Sequence, residues 1–306
     1  MANKGKKILN LQNQDNQIDD LLAQKTVYSN AKNYQGLLIF ITVPLPIIIS
    51  IIVKLDPKLI DQSSYIFALY LVFAAIGEKI VEKIVERLKN IAASIQEQFD
   101  CEVLDIPTNE TLNSLFIDKE TIRRNSKKAR KNKSLVQKVT SWYSLNLKDV
   151  KTNIASLLCQ RTNITYDYSV RKRYKSTVLV LSILTVVTLF LLSLFNDLSL
   201  QTFLIEVILP SIPVFMFAYK EINSNTESID NLNHLRNLIE SKLNDVNINS
   251  EIDQELLRKI QDRIYHNRVL SPLIPDFIYY FVRTKLEDEM NYSVEKKLEI
   301  LLKTNN

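Results

Sequence analysis

Residues 177–195 read TVLVLSILTVVTLFLLSLF, nineteen positions without a charge. At 1.5 Å per residue a helix of that length spans the hydrocarbon core of a bilayer, so the stretch is expected to cross a membrane. A second uncharged block, LLIFITVPLPIIISIIV at 37–53, is 17 residues long and contains Pro44 and Pro46. It sits at the short end of the spanning range, and prolines are tolerated in spans where neighbours cover the freed backbone.

Each strong block has a weaker companion nearby. SSYIFALYLVFAAIG at 63–77 is short, but its helix can run on into Glu78 and Lys79 at the interface, where long side chains reach water. Residues 198–219 are long enough and contain Glu206, Pro210, Ser211 and Pro213. A lone crossing would strand the chain on the far side, so each pair is read as a hairpin that crosses and returns. Lysine and arginine concentrate at the start, at 123–133 and at 171–175, whereas the hairpin tips KLDPKLIDQ and NDLSLQ carry only Lys54 and Lys58. The excess of basic residues places both termini and the middle in the cytoplasm, with no cleavable signal peptide in the polar residues 1–36.

The expected fold class is therefore an all-α membrane protein with two transmembrane hairpins, four spans in total, and a small β element near 103–106. The chain divides into a cytoplasmic amphipathic helix (1–36), hairpin 1 (37–84), a basic cytoplasmic helical region (85–175), hairpin 2 (176–219) and a cytoplasmic helical region (220–306). From Gly77 the sequence continues as EKIVEKIVERLKNIAASIQEQF, with Ile80, Ile84, Leu88, Ile91, Ile95 and Phe99 on one stripe, so the second span and a cytoplasmic stalk are read as one helix. Farther on, Ile222, Ile229, Leu232, Ile239, Leu243 and Val246 approximate a heptad with Arg236 at one core position. Pro272 and Pro275 should split the last region into two helices.

The chain has three glycines, Gly5, Gly36 and Gly77, so no phosphate-cradling loop, dinucleotide fingerprint or nucleophile elbow can be written on it. His234 and His266 stand alone, and Cys101 and Cys159 lack metal-ligand spacing. No catalytic residue, metal or cofactor is expected. The net charge of +5 concentrates in the central region and reads as topology and headgroup attraction, not as DNA or RNA binding.

Two polar clusters stand out. One precedes the third span and includes Arg161, Asn163, Asp167 and Arg171; the other includes Arg258, Gln261, Asp262, Tyr265, Arg268, Arg283 and Glu287. Guanidinium forks bind phosphate and aromatic rings stack on bases. The same residues also fit ion pairs, Arg161 with Asp167 and Arg258 with Asp262, that lock cytoplasmic helices together.

Four stretches carry a family resemblance: LLAQKTVYSNAKNY before the first span, FDCEVLDIP, WYS followed by CQRTNITYDYSVRKRY, and RKIQDRIYHNRVLSPLIPDFIYYFVRTKLEDEM near the C-terminus. Together they resemble the S-4TM family, bacterial four-transmembrane pore-forming effectors of cyclic-oligonucleotide anti-phage signalling (CBASS). In that pattern an aromatic pair often follows the proline-aspartate step, where this chain has Phe277 and Ile278. The resemblance implies an inner-membrane effector that oligomerises and forms a pore, or disrupts the bilayer, when a partner nucleotidyltransferase makes a cyclic oligonucleotide. It makes Arg161, Asn163, Arg171, Arg173, Arg258, Gln261 and Tyr265 expected ligand contacts. Glu206 lies well inside the fourth span, where an ionised carboxylate facing lipid is costly. It is accordingly expected to line a pore with Pro210, Ser211 and Pro213, or to fix helix packing. The competing reading is a non-conducting membrane scaffold whose cytoplasmic helices bind a protein partner.

Overall fold

A computed structural model describes residues 5–42, 44–55, 63–112, 116–143, 145–148, 150–195, 199–204, 208–246 and 250–303. In chain order the helices are α1 (Lys6–Leu11), α2 (Asp15–Thr42), α3 (Pro44–Leu55), α4 (Ser63–Leu104), α5 (Lys119–Ala129), α6 (Lys133–Val139), a 3₁₀ turn (Leu145–Leu147), α7 (Thr152–Phe195), α8 (Leu200–Phe203), α9 (Leu209–Asn244), α10 (Gln254–Leu270) and α11 (Asp276–Lys303).

Local chemistry sets many of the boundaries. Pro44 opens α3, the one helical position where a missing N–H costs nothing. Asp118, Asn132 and Asp253 cap α5, α6 and α10 by accepting from Thr121, Leu135 and Glu255 N–H groups at 2.5, 3.2 and 3.0 Å. Pro272 and Pro275 separate α10 from α11, as their fixed φ and missing donors require. The β element expected at 103–106 is not there. Val103 and Leu104 form the last turn of α4, Asp105 takes the left-handed conformation at φ 58°, and the Ile106 N–H bonds back to the Cys101 carbonyl at 3.0 Å. Only Val103 and Ile106 of these four are β-branched, too few to stop the preceding helix, and among the described residues there is no strand.

The stalk is continuous with the second span: α4 is one helix of 42 residues. It runs antiparallel to α2, the most extensive packing in the molecule, with Gln24 donating to Gln96 at 3.0 Å at one level and the Tyr70 hydroxyl donating to the Ile41 carbonyl at 2.7 Å at another. Helices α7 and α9 form a second antiparallel pair, tied by Arg161 to Glu240 and by Arg171 to Asn225. The stripe expected along the stalk changes character with height. Ile95 and Phe99 are buried against this chain's own helices, Ile84, Leu88 and Ile91 are half-buried, and Ile80 is exposed. On α9 the buried series is Leu232, Leu235, Ile239 and Leu243. Arg236 turns aside to lie 5.3 Å from the Tyr168 ring, out of the core position the heptad would assign it.

Four of the long helices, α2, α4, α7 and α9, are thus buried at one end and bare at the other. In α7, Ile154, Leu157 and Leu158 are fully buried, whereas Leu181, Leu184, Val187 and Leu194 are about half exposed. Leu37 and Phe40 on α2, Leu69, Phe73 and Ile76 on α4 and Met216 and Tyr219 on α9 continue the same bare apolar zone. Contiguous exposure on this scale needs a nonaqueous neighbour. Among the described residues, Thr152–Leu191 is the one helical stretch long and apolar enough by itself to cross a membrane.

Gly5 fastens the N-terminal end to this body. Its N–H donates to the Val150 carbonyl at 2.6 Å, and a Cβ there would collide with the Leu147 carbonyl oxygen and stand 3.1 Å from the Ala155 Cβ. Gly5→Ala should lower stability by about 1–3 kcal/mol. Gly36→Ala, where a Cβ meets nothing within 4 Å, should be neutral or mildly stabilising. Thermal melts of the two detergent-solubilised variants check the contrast.

Candidate functional site

A charged knot lies where α4, α7 and α10 meet. Glu97 and Asp100, one turn apart on the buried end of α4, face Arg258, Gln261 and Arg268 on α10. Arg258 reaches the Glu97 Oε1 at 2.6 Å, the Asp262 Oδ1 at 2.8 Å, the Pro107 carbonyl at 2.8 Å and the Cys101 Sγ at 3.2 Å. Gln261 donates to Glu97 at 2.8 Å and Asp100 at 3.0 Å, and accepts from Gln160 of α7 at 3.1 Å. Arg268 donates to Asp100 at 2.7 Å. Burial works against both guanidinium charges, and the carboxylates, Glu97 beside Arg258 and Asp100 beside Arg268, more than offset it and hold both pKa values above the ordinary one. Burial and the same Glu97 push the Cys101 thiol up to about 12, so it is a packed group and not a nucleophile.

The structure finds internal partners for the other expected ligand residues. Arg161 does not pair with Asp167. Six residues along a helix place the two about 120° apart around its axis. Instead Arg161 donates to Glu240 of α9 at 2.5 Å and to the Ser293 Oγ of α11 at 3.0 Å, while Asp167 takes Arg171, its i+4 neighbour, at 3.0 Å. Burial opposes the Glu240 charge, but Lys297 and Arg161 outweigh it and hold that carboxyl below its usual range. Arg171 also reaches Asn225 at 3.2 Å and the Pro272 carbonyl at 3.0 Å. Asn163 donates to the Tyr143 hydroxyl at 3.1 Å, and the Tyr265 hydroxyl shares a 3.3 Å hydrogen bond with Ser94. Arg173 is half exposed, 4.0 Å from Glu289. Of the residues expected along the fourth span, Glu206 lies outside the described residues, Pro210 and Pro213 fall in helical backbone of α9, and Ser211 is buried within its own chain.

Sequence reasoning missed the feature directly above the knot. A cleft of about 500 Å³ opens between residues 137–143, the 3₁₀ turn, α7 and the middle of α11; Lys138, Trp142, Thr162, Arg283, Met290 and Asn291 are among its walls. Trp142, the chain's single tryptophan, is 41 % exposed. Arg283 is oriented by Glu287 at 2.5 Å and by the Lys138 carbonyl at 3.0 Å. The floor of the cleft joins the knot below. Tyr143 also lines it, and its buried hydroxyl donates to Asp100 at 3.2 Å. The signal was present as WYS, one of the quoted resemblance stretches, but nothing in the sequence brings residue 142 beside residue 283.

Among the described residues, several buried polar atoms lack a hydrogen-bond partner, and Asp20 is the one acidic side chain of that set. Asp20 on α2 is 1 % exposed and neither carboxylate oxygen accepts a hydrogen bond. Burial lifts its pKa from 3.8 to about 7; Lys119 lowers it, and Glu102 and Asp19 add to the rise.

The fold and these sites together define a helical protein with a packed polar body and a bare apolar zone. The chain belongs to the family described as SMODS-associating 4TM effector domain, which it matches over residues 6–297. It is 28 % identical over 291 residues, 92 % of this chain and 95 % of the relative, to a Bacillus cereus (strain VD146) protein described as a probable CBASS effector molecule. No solved structure matches. The family description makes this a 4TM effector and so a membrane protein.

Two predictions follow from the charges. Arg258→Ala strands Glu97 in the interior and should cost about 3–5 kcal/mol, with Arg258→Lys failing to restore a fork that reaches four partners. Membrane abundance and a denaturant melt read this. Asp20, whose folded pKa lies above its unfolded one, weakens the fold increasingly as pH rises from about 4 to 7 and by a constant amount above that. Asp20→Asn should therefore raise stability by about 1–3 kcal/mol at pH 8, and the gain should vanish at pH 4.

Proposed function

We propose that this chain is a four-span inner-membrane effector, both termini cytoplasmic, that a cyclic oligonucleotide from a partner nucleotidyltransferase converts into a conducting homo-oligomer during phage infection. The observation that carries the reading is the two-part character of its helices: α2, α4, α7 and α9 each run without interruption from a packed polar body into a bare apolar zone. Membership of a 4TM effector family supplies the context. Four spans in one chain enclose too little space for a wide aqueous path, so conduction requires several copies. The body sits in the cytoplasm with its basic face near the headgroups, where a soluble messenger reaches it.

Within an assembly, copies of Glu206 form a carboxylate ring that favours cations, and Pro210 and Pro213 weaken the backbone ladder beside it. The expected ligand residues Arg161, Arg171, Arg258 and Gln261 act in this reading by holding the body together, so that a ligand has one rigid unit to move.

The test is ion flux from liposomes containing purified protein, with and without a panel of cyclic di- and trinucleotides. The expected result is flux triggered by at least one of them, with cation preference reduced at least several-fold in Glu206→Gln. Liposomes that stay sealed with every ligand, at a density where cross-linking finds only monomer, would return the protein to a non-conducting scaffold. Flux with unchanged selectivity would leave Glu206 as a packing residue.

A further inference from the structure

The cleft beside Trp142 has the properties of a nucleotide site. Its volume, about 500 Å³, falls in the range of ordinary ligand pockets, about 300–1,000 Å³. One wall carries the partly exposed indole of Trp142, a flat surface on which any base can stack. Another carries Arg283, whose planar fork is held in place by Glu287 and by the Lys138 carbonyl before any ligand arrives. Asn291 and Thr162 add neutral donors and acceptors between them.

The charges around the cleft favour an anion. Lys138 and Arg283 outnumber the one acid, Glu287, which Arg283 already neutralises. Lys25 on α2 stands close enough to feel them: burial first, and then Arg283 and Lys138, depress its pKa, against an opposing pull from Asp276. Mutual repulsion among three cations is a cost that a bound phosphate would offset.

We propose that this cleft binds a cyclic oligonucleotide, Trp142 stacking on a base while Arg283 and Lys138 take a phosphate. The assignment rests on the cyclic-oligonucleotide reading given above and names its site. A ligand seated there presses on the residue next to Tyr143, whose hydroxyl holds Asp100 on α4, the helix that continues into the bare apolar zone.

Because Trp142 is the single tryptophan beside 13 tyrosines, fluorescence of the purified protein in detergent, excited selectively at the indole, comes from this one position. The probes are cyclic di-AMP, cyclic di-GMP, the cyclic GMP-AMP isomers and cyclic triadenylate, with ATP and inorganic phosphate alongside; equilibrium dialysis gives affinities independently of fluorescence. At least one cyclic oligonucleotide should quench Trp142 saturably with one site per chain. Trp142→Ala and Lys138→Glu should each weaken that ligand about tenfold by dialysis, the scale of one base stack or one phosphate contact; the change at Lys138, whose side chain is exposed, should do so with melting temperature unchanged. A ligand that binds by dialysis yet leaves Trp142 fluorescence and both variants' affinities unchanged would overturn the cleft and leave the cyclic-oligonucleotide reading standing. No binding by any of them would overturn both. Quenching by inorganic phosphate at the same concentration would reduce the cleft to a bare anion site and remove the base.

Discussion

Two carboxylates one turn apart on α4, Glu97 and Asp100, meet two guanidiniums, Arg258 and Arg268, that α10 brings to the same buried level. A pair of this kind adds little net stability over a hydrophobic alternative, because desolvation consumes most of the attraction. Its force is conditional: any arrangement that separates the partners leaves a charge in the interior. The rest of the body is arranged around that condition. Gln160 brings α7 to the knot through Gln261, Tyr143 brings the segment before α7, and the Pro107 carbonyl brings the chain leaving α4. A register shift of one helix along another would break several of these contacts at once.

The elements that depend on near neighbours in sequence were legible. The single helix from second span to stalk followed from an unbroken apolar stripe, and the break between α10 and α11 followed from Pro272 and Pro275. The ion pair of Arg258 with Asp262 was legible because it spans four residues on one helix. Contacts set by the packing of distant segments were not. Nothing local tells Arg161 to choose Glu240 and Ser293 over Asp167, nor places Trp142 opposite Arg283, since those partners are fixed only once α7, α9 and α11 have packed. The β element expected at 103–106 failed for the opposite reason: two β-branched residues, Val103 and Ile106, weigh less than a long helix already running into them.

The bare zone carries a related lesson. Apolar length alone picks out α7 as a crossing helix, while the companions on α2, α4 and α9 are shorter, interrupted or shared with charged ends. Pairing makes them intelligible. The antiparallel contacts from Gln24–Gln96 to Tyr70–Ile41 carry α2 and α4 out of the body side by side, and Arg171–Asn225 does the same for α7 and α9.

The two open glycines have a mechanical consequence. Gly36 and Gly77 are the glycines within the long helices; the register of α2 on α4 sets them at nearly the same height, where packed body gives way to bare zone, and neither has a neighbour that its missing side chain would admit. Each glycine weakens its helix locally by about 0.5–1 kcal/mol relative to alanine. Two otherwise stiff rods therefore share one compliant level. Load applied at the body end is delivered to the outer halves as a change of angle, not of length.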